Sequence, residues 1–326
     1  MVTAAAMNIL AALEFGDSKP ALSVLLAANI IPFAASVFVT ESIVQSFGAL
    51  YPIAIALPVW LTLRLRHGRA SSIALAAMCS MALWFAGFVI AVTGELGAFN
   101  AETVGAVLDA LFKPYGDFLS GMMYERGGEK IAYFKAADIE IMLYYFKAMY
   151  FGTVAVAMLV LAYFATLAVR IIADIFGVGH MLPAGYRISM RAKLTEKGPQ
   201  VEIAQERVPW RIELDSVTVG VYIFAYAMTV LFSFSENGAV PTLYTVMMNL
   251  VIILSPGFFY CGARDIVLGF RGKSSSGRLG KIIPILVIIM TFINPMSMVF
   301  ILCTLGVIVT LRENRVRRDA QINRKD

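Results

Sequence analysis

The sequence predicts an all-α, polytopic helical membrane protein with about eight spans, and two observations carry that prediction. The first is composition, because 59% of the 326 residues are hydrophobic and only 15% are charged. About a quarter of the residues in a soluble domain are charged. The second is a series of apolar runs as long as a membrane-spanning helix. No polar stretch is long enough to form a second core, so residues 1–326 are expected to be a single membrane-embedded domain.

A basic cluster sets the expected orientation of these spans. Residues 51–72, YPIAIALPVWLTLRLRHGRASS, hold a short apolar run followed by three arginines within six residues. Arginines beside a span favour the cytoplasmic side, so the N-terminus is expected inside. One helix across the last apolar stretch would then put the basic tail outside, in conflict with the preference of basic residues for the cytoplasmic side. A break at Asn294–Pro295 removes that conflict, because the residue before a proline resists helical geometry.

Prolines and polar residues set the limits of the individual spans. The sixth span is expected to break at Ser255, Pro256 and Gly257. The apolar segment 1–15 is expected to be either an interfacial helix or a floppy terminus. With both termini inside, the spans are predicted at 21–39, 48–63, 70–93, 141–171, 216–234, 243–261, 282–293 and 296–311.

Two connections are long enough to carry structure of their own. In residues 94–138, on the expected outer side, apolar residues recur at helical spacing on one face. That pattern predicts an amphipathic helix, bent near Pro114, that lies on the membrane or caps the bundle. In residues 172–215, the cytoplasmic loop, polar and apolar residues partly alternate around TEKGPQ. This alternation predicts a small β-hairpin on the cytoplasmic face.

Polar residues at membrane depth are the candidate site residues. Glu140, Tyr144 and Lys147 are spaced to share one helix face. A lysine inside a span is costly unless it is paired or its side chain reaches outward to the interface, so both a polar site and snorkelling explain Lys147. Asparagines in a span either line a cavity or bond to a neighbouring helix. The candidate ligand-pocket residues are therefore Glu140, Tyr144, Lys147, Asn29, Asn249 and Asn294.

The sequence gives no indication of enzyme chemistry. It contains no GxSxG, HExxH or P-loop motif. Its three cysteines are scattered and its two histidines lie in separate loops, so no catalytic residue, cofactor or metal site is expected. The net charge of +5 comes from basic residues at the ends of spans, which are topology determinants rather than a nucleic-acid surface. The expected partners are the lipid bilayer and either a small-molecule ligand or a membrane-protein partner.

Several soft markers follow one another along the chain. They are ALPVWLTLRLRHG at the second span, the long amphipathic outer region, the cytoplasmic Pro209–Trp210–Arg211, Asn249 within MMNLVIILSPGFFYCGARDI, and a final span that runs into LRENR. In this order they resemble the bacterial YybS-like family of predicted membrane proteins of unknown function. The resemblance covers nearly the whole chain, and it implies a multi-pass protein of the bacterial cytoplasmic (inner) membrane with both termini in the cytoplasm.

Residues 56–72 also look like a pattern of the substrate-binding subunits of energy-coupling-factor vitamin transporters. Those subunits bind vitamins or metals in a pocket near the outer face. The resemblance implies a transporter-like, small-molecule-binding membrane protein, although the long outer segment and two extra spans depart from the six-helix plan of those subunits. The alternative function is a non-catalytic membrane scaffold or assembly subunit. The missing chemical motifs, the hairpin-like loop and the basic tail favour that alternative.

Overall fold

The computed structural model of the protein is almost entirely helical in the part of the chain that it describes. The described residues are 2–14, 19–40, 46–65, 69–126, 129–178, 182, 190–195, 198–203, 214–233, 242–273, 289–290 and 293–322.

The described residues contain nine α-helices, one short 3-10 turn and two pairs of short strands. Six of the helices are long and apolar enough to cross a membrane, which confirms the predicted class of an all-α, multi-pass membrane protein. The helices are α1 Val2–Glu14, α2 Lys19–Thr40, α3 Tyr51–Arg64, α4 Arg69–Leu96, α5 Ala101–Gly121, α6 Ala136–Ile175, α7 Ser216–Ser233, α8 Thr242–Lys273 and α9 Pro295–Ile322.

Local sequence signals explain several of the helix ends. Gly97 and Gly177 have positive φ angles of 77° and 70° and follow the ends of α4 and α6. Glycine adopts this left-handed conformation without a Cβ clash. Helix α5 begins at a reciprocal cap, in which the Thr103 N–H donates to Asn100 Oδ1 at 2.9 Å and the Asn100 N–H donates to Thr103 Oγ1 at 3.0 Å. The cap satisfies backbone donors that have no partner within the helix.

The described chain divides into two compact units, and each is described by itself. The first comprises Met1–Tyr150 and Ala157–Trp210, and the second comprises Phe151–Val156 and Arg211–Asp326. In the first unit α1 packs against α2 and α3, with Ala5, Ile9 and other apolar side chains fully buried. The terminus is therefore a packed helix, and the alternative of a floppy apolar terminus is wrong.

Helices α3 and α4 of the first unit run antiparallel. The Thr62 and Ser72 hydroxyls are 2.6 Å apart, and Gly87 lies against the ring of Phe47, a residue of the short 3-10 turn that precedes α3. The sum of the residue numbers is constant across the two contacts, as antiparallel packing requires. Thr62 also donates to the carbonyl of Pro58 at 2.9 Å, so its hydroxyl has a partner within its own apolar helix.

Helices α8 and α9 of the second unit run parallel to each other. The Cys303 thiol donates to the Ser255 carbonyl at 3.5 Å, and Arg264 donates to Glu313 at 2.6 Å. Residue numbers rise together along both helices, with an offset of 48 at the first contact and 49 at the second. Between these contacts, Gly306 lies against the Phe258 carbonyl. Two parallel helices that are consecutive in the described chain need a connection that returns from the end of one to the start of the other.

The predicted break in the sixth span is wrong. Helix α8 passes through Pro256 without interruption and continues to Lys273. The Ser255 hydroxyl, next to the proline, donates to the Val251 carbonyl at 2.7 Å and is thus bonded within the helix. The predicted break near Asn294 coincides with a helix start, because the Ser297 N–H donates to Asn294 Oδ1 at 3.2 Å. The predicted span 282–293 lies mostly outside the described residues.

Two strand pairs interrupt the helices. Strands β1, Met123–Arg126, and β2, Glu129–Ala132, pair antiparallel after α5. The sequence prediction did not include them. Strands β3, Met190–Thr195, and β4, Gly198–Ile203, pair antiparallel within the connection where the sequence predicts a hairpin.

Candidate functional site

The Lys147 region of the first unit holds three of the six candidate residues. Glu140, Tyr144 and Lys147 share one face of α6, because the helix is continuous from Ala136 to Ile175. Glu140 and Tyr144 are exposed, whereas the Lys147 side chain is only 32% exposed. At about 1.5 Å per residue, the 40 residues of α6 extend about 60 Å, which is twice the roughly 30 Å hydrocarbon core of a bilayer.

The charge of Lys147 is paired across two helices. Its ammonium group donates to the carboxylate of Asp109 on α5 and forms an ion pair with it. Asp109 is well exposed at 65%, so water screens the pair and it contributes only about 0–1 kcal/mol to stability. A pair of this kind exchanges partners readily, because little free energy is lost when one charge turns to another partner. The charge pair was not predicted, since seven carboxylates in 94–138 were equally eligible partners.

Aromatic residues lie within one turn of both members of this ion pair along α5 and α6. The Phe112 ring, one turn after Asp109, lies 6.3 Å from the Phe146 ring and 5.8 Å from the Tyr150 ring. Tyr150 in turn meets Trp84 of α4 edge-on at 5.8 Å. Rings at these separations attract one another beyond the effect of area burial. We call Trp84, Phe112, Phe146 and Tyr150 the aromatic cluster.

Asn29 is a packing residue in this structure. It is only 2% exposed, and its Nδ2 donates to the Leu25 carbonyl at 2.7 Å. Its Oδ1 accepts from Asn8 Nδ2 of α1 at 3.3 Å. A buried amide without partners would cost several kcal/mol, so these two bonds account for an asparagine at this depth.

Asn249 and Asn294 both lie in the second unit, and both bond to backbone. Asn249 Oδ1 accepts from the Gly152 N–H at 2.5 Å, and its Nδ2 donates to the Thr245 carbonyl at 2.7 Å. A Cβ at Gly152 would lie 2.5 Å from Asn249 Oδ1, so the glycine is what allows this approach. Asn294 is exposed and caps the start of α9. The candidate residues are thus divided between the two units, with Lys147, Tyr144, Glu140 and Asn29 in the first.

Two ion pairs at one end of α8 and α9 were also missed by the sequence prediction. Arg264 pairs with Glu313, and their side chains are only 14% and 19% exposed. Arg312 pairs with Asp265 at 2.9 Å, and this pair is more exposed. Each of the motifs ARDI and LRENR holds an arginine followed by an acidic residue, but nothing in the sequence indicated that the two helices run parallel.

Residues with metal-ligand chemistry are not gathered together in the described ranges. There, no group of three His, Cys, Asp or Glu side chains is placed to hold a metal ion. No family model, curated protein or solved structure matches this sequence. The resemblances to the YybS-like family and to vitamin-transporter subunits therefore stay predictions.

Proposed function

We propose that the chain is an integral membrane protein of transporter-like type that binds a small molecule beside Lys147. The Lys147–Asp109 ion pair next to the aromatic cluster is the observation that carries the proposal. Charged residues within membrane-spanning helices commonly mark ligand or ion pathways. Apolar and aromatic walls with a few placed polar groups are the usual composition of a small-molecule site.

The chemistry of the site follows from these groups. A ligand carboxylate or phosphate would take the place of Asp109 on Lys147, and Asp109 would turn to water, where its carboxylate is already largely solvated. The apolar part of the ligand would lie against Phe112 and Tyr144. No covalent step is part of the proposal.

We also propose eight crossings, with both termini in the cytoplasm of a bacterial cell and β3–β4 on that side. Six helices have spanning length, and the 18 residues of α7 extend about 27 Å. The parallel run of α8 and α9 supports an eighth crossing, because the chain between them has to return across the bilayer. The three arginines after α3 then set the orientation.

Native mass spectrometry of the full chain, extracted in mild detergent, tests the binding proposal. We expect a non-protein adduct on the unsubstituted protein that is lost from Lys147→Ala and retained by Lys113→Ala. Lys113 is an exposed lysine on α5, one turn beyond Asp109, and serves as the matched control. Thermal unfolding of each variant shows whether it is folded. An adduct that survives Lys147→Ala, or a bare mass for every form, contradicts the proposal.

A scaffold or assembly subunit is the second candidate. The observation that favours it is the use of Asn29 and Asn249 in helix packing, which leaves both amides engaged with neighbouring helices and backbone. Affinity purification under the same conditions would then recover a second protein at a fixed stoichiometry. If the mass of the chain shows no non-protein adduct and such a partner is recovered, the result would favour a scaffold over a small-molecule-binding protein.

A further inference from the structure

The Lys147 ion pair and two rings of the aromatic cluster lie on the same interface between α5 and α6. Asp109 and Phe112 are three residues apart on α5, and Lys147 and Tyr150 are three residues apart on α6, so each pair shares one side of its helix. Lys147 pairs with Asp109, and the Phe112 ring lies 5.8 Å from the Tyr150 ring. A molecule that separates Lys147 from Asp109 therefore has an aromatic ring one turn away on each helix.

The ion pair limits the charge that a ligand can carry. The charges of Asp109 and Lys147 cancel, and a ligand with only a negative group would add one negative charge while it removes the partner of Asp109. A ligand with one negative and one positive group keeps the sum at zero and gives each side chain a new partner. Because the two side chains are in direct contact, the two ligand groups have to lie close together, as they do when both are attached to one carbon atom.

The charge of the chain around the site favours the same kind of ligand. Residues 94–147 hold eight acidic and five basic side chains, so this part of the first unit has a net charge of −3. A field of this sign repels a free anion and lowers its association rate, whereas a zwitterion has no net charge for it to act on. A zwitterion therefore supplies the carboxylate that Lys147 binds without the repulsion that a simple anion meets.

We propose that the ligand of the Lys147 site is an α-amino acid with an aromatic side chain. Its carboxylate accepts from the Lys147 ammonium group, its own ammonium group donates to the Asp109 carboxylate, and its ring lies against Phe112 and Tyr150. Both rings are half-buried, so each keeps surface that a ligand can cover. Aromatic rings attract one another beyond the effect of area burial, which favours an aromatic over an aliphatic side chain. This ligand class rests on the proposed binding function, because the two share one site.

Thermal unfolding of the full chain in mild detergent, titrated with free amino acids, tests the ligand class. The probes are phenylalanine, tyrosine and tryptophan, then the analogues of the tightest binder that lack the ammonium group or the carboxylate, and alanine, which lacks the ring. We expect an aromatic amino acid to raise the unfolding midpoint, and each truncated probe to bind about tenfold or more weakly, because a charged hydrogen bond or the ring contact is lost. Asp109→Asn should abolish the preference for the amino acid over the analogue without an ammonium group. Lys113→Ala, the matched control, should retain it.

The results separate the ligand class from the binding function itself. If the analogue without an ammonium group binds as tightly as the amino acid, and Lys147→Ala binds neither, the site takes an anion and the zwitterion is overturned. Alanine that binds as tightly would overturn the aromatic side chain. If no aromatic amino acid shifts the midpoint, while a native-mass adduct is still lost from Lys147→Ala, the ligand class is wrong and the binding proposal stands. Neither a shift nor an adduct would contradict both.

Discussion

Three asparagines of the candidate set show how single polar side chains are accommodated here. Asn29 and Asn249 each donate to a carbonyl four residues earlier in their own helix and use Oδ1 to accept from a second segment. Asn294 accepts from the start of the helix that follows it. The bonds of Asn29 and Asn249 satisfy groups that hydrocarbon would leave without a partner. From sequence, an asparagine in a span is equally consistent with packing and with ligand binding, because the partner is remote in the chain.

A fourth polar residue, Asp215, makes a pH-dependent contribution to stability. The hydroxyl and the backbone N–H of Thr218 both donate to Asp215 at the start of α7, and they hold the pKa of Asp215 below its ordinary value. The pKa is therefore lower in the folded than in the unfolded chain. The stabilisation is present above the unfolded pKa, near 3.9, and is lost as the pH falls through the folded pKa.

We expect Asp215→Ala to lower the free energy of unfolding by about 1 kcal/mol at pH 7. Asp215→Asn keeps an acceptor that does not titrate, so its stability should depend less on pH below 5 than that of the unsubstituted protein. Unfolding in detergent, followed by circular dichroism between pH 7 and pH 3, measures both effects. Parallel pH profiles for the Asp and Asn forms would contradict the assignment.

At the scale of the helices, the spans themselves were predictable and their ends were not. Long apolar runs identify α2, α4 and α6, because only helices satisfy all of their backbone groups in lipid. The expected break at Pro256 does not occur, and α8 contacts α9 on both sides of the proline, at Ser255 and at Arg264. The pairing of β1 with β2 was missed, since the only local signal was the Gly127–Gly128 dipeptide.

The contact between α8 and α9 depends on two glycines. A Cβ on Gly306 would lie 1.9 Å from the Phe258 carbonyl oxygen, and one on Gly262 would lie 2.0 Å from the Leu302 carbonyl oxygen. Both obstacles are backbone atoms, so a side chain at either position has to push the helices apart. Small residues at such crossings are the main device by which helices approach closely in membranes.

We therefore expect Gly306→Ala to destabilise the protein by about 1–3 kcal/mol. Gly220→Ala on α7 is the matched control, because a Cβ there meets nothing within 4 Å, and alanine in a helix is favoured over glycine by up to about 1 kcal/mol. Thermal unfolding can be followed with a thiol-reactive dye, since Cys261 and Cys303 are buried. Equal midpoints for the two variants would refute this account of the crossing.

The ion pairs of the same two helices should differ in strength. Arg264 and Glu313 are more buried than Arg312 and Asp265. A double-mutant cycle to alanine should give a coupling free energy of about 1–3 kcal/mol for the first pair and about 0–1 kcal/mol for the second. Unfolding measurements on the three variants of each cycle provide the values. A larger coupling for the exposed pair would mean that burial does not set these energies.

For the whole molecule, the sequence predicted the class of the protein and the side of α6 that three candidate residues share. Composition was sufficient for the class, because few chains other than membrane proteins are as depleted in charge. The shared side of Glu140, Tyr144 and Lys147 followed from helical spacing. Asp109, 38 residues from Lys147, could not be predicted, because pairing between helices depends on tertiary packing and leaves no periodic trace in the sequence. The same is true of the parallel run of α8 and α9.

The central claim is that eight crossings put the Lys147 site on the outside and both termini inside. Labelling of intact cells with a membrane-impermeant maleimide tests it most directly, with single cysteines at Lys113→Cys, Asn294→Cys and Asp326→Cys. The account predicts labelling at positions 113 and 294 in intact cells, and at position 326 only after permeabilisation. Labelling at position 326 in intact cells, with position 294 protected, would contradict it.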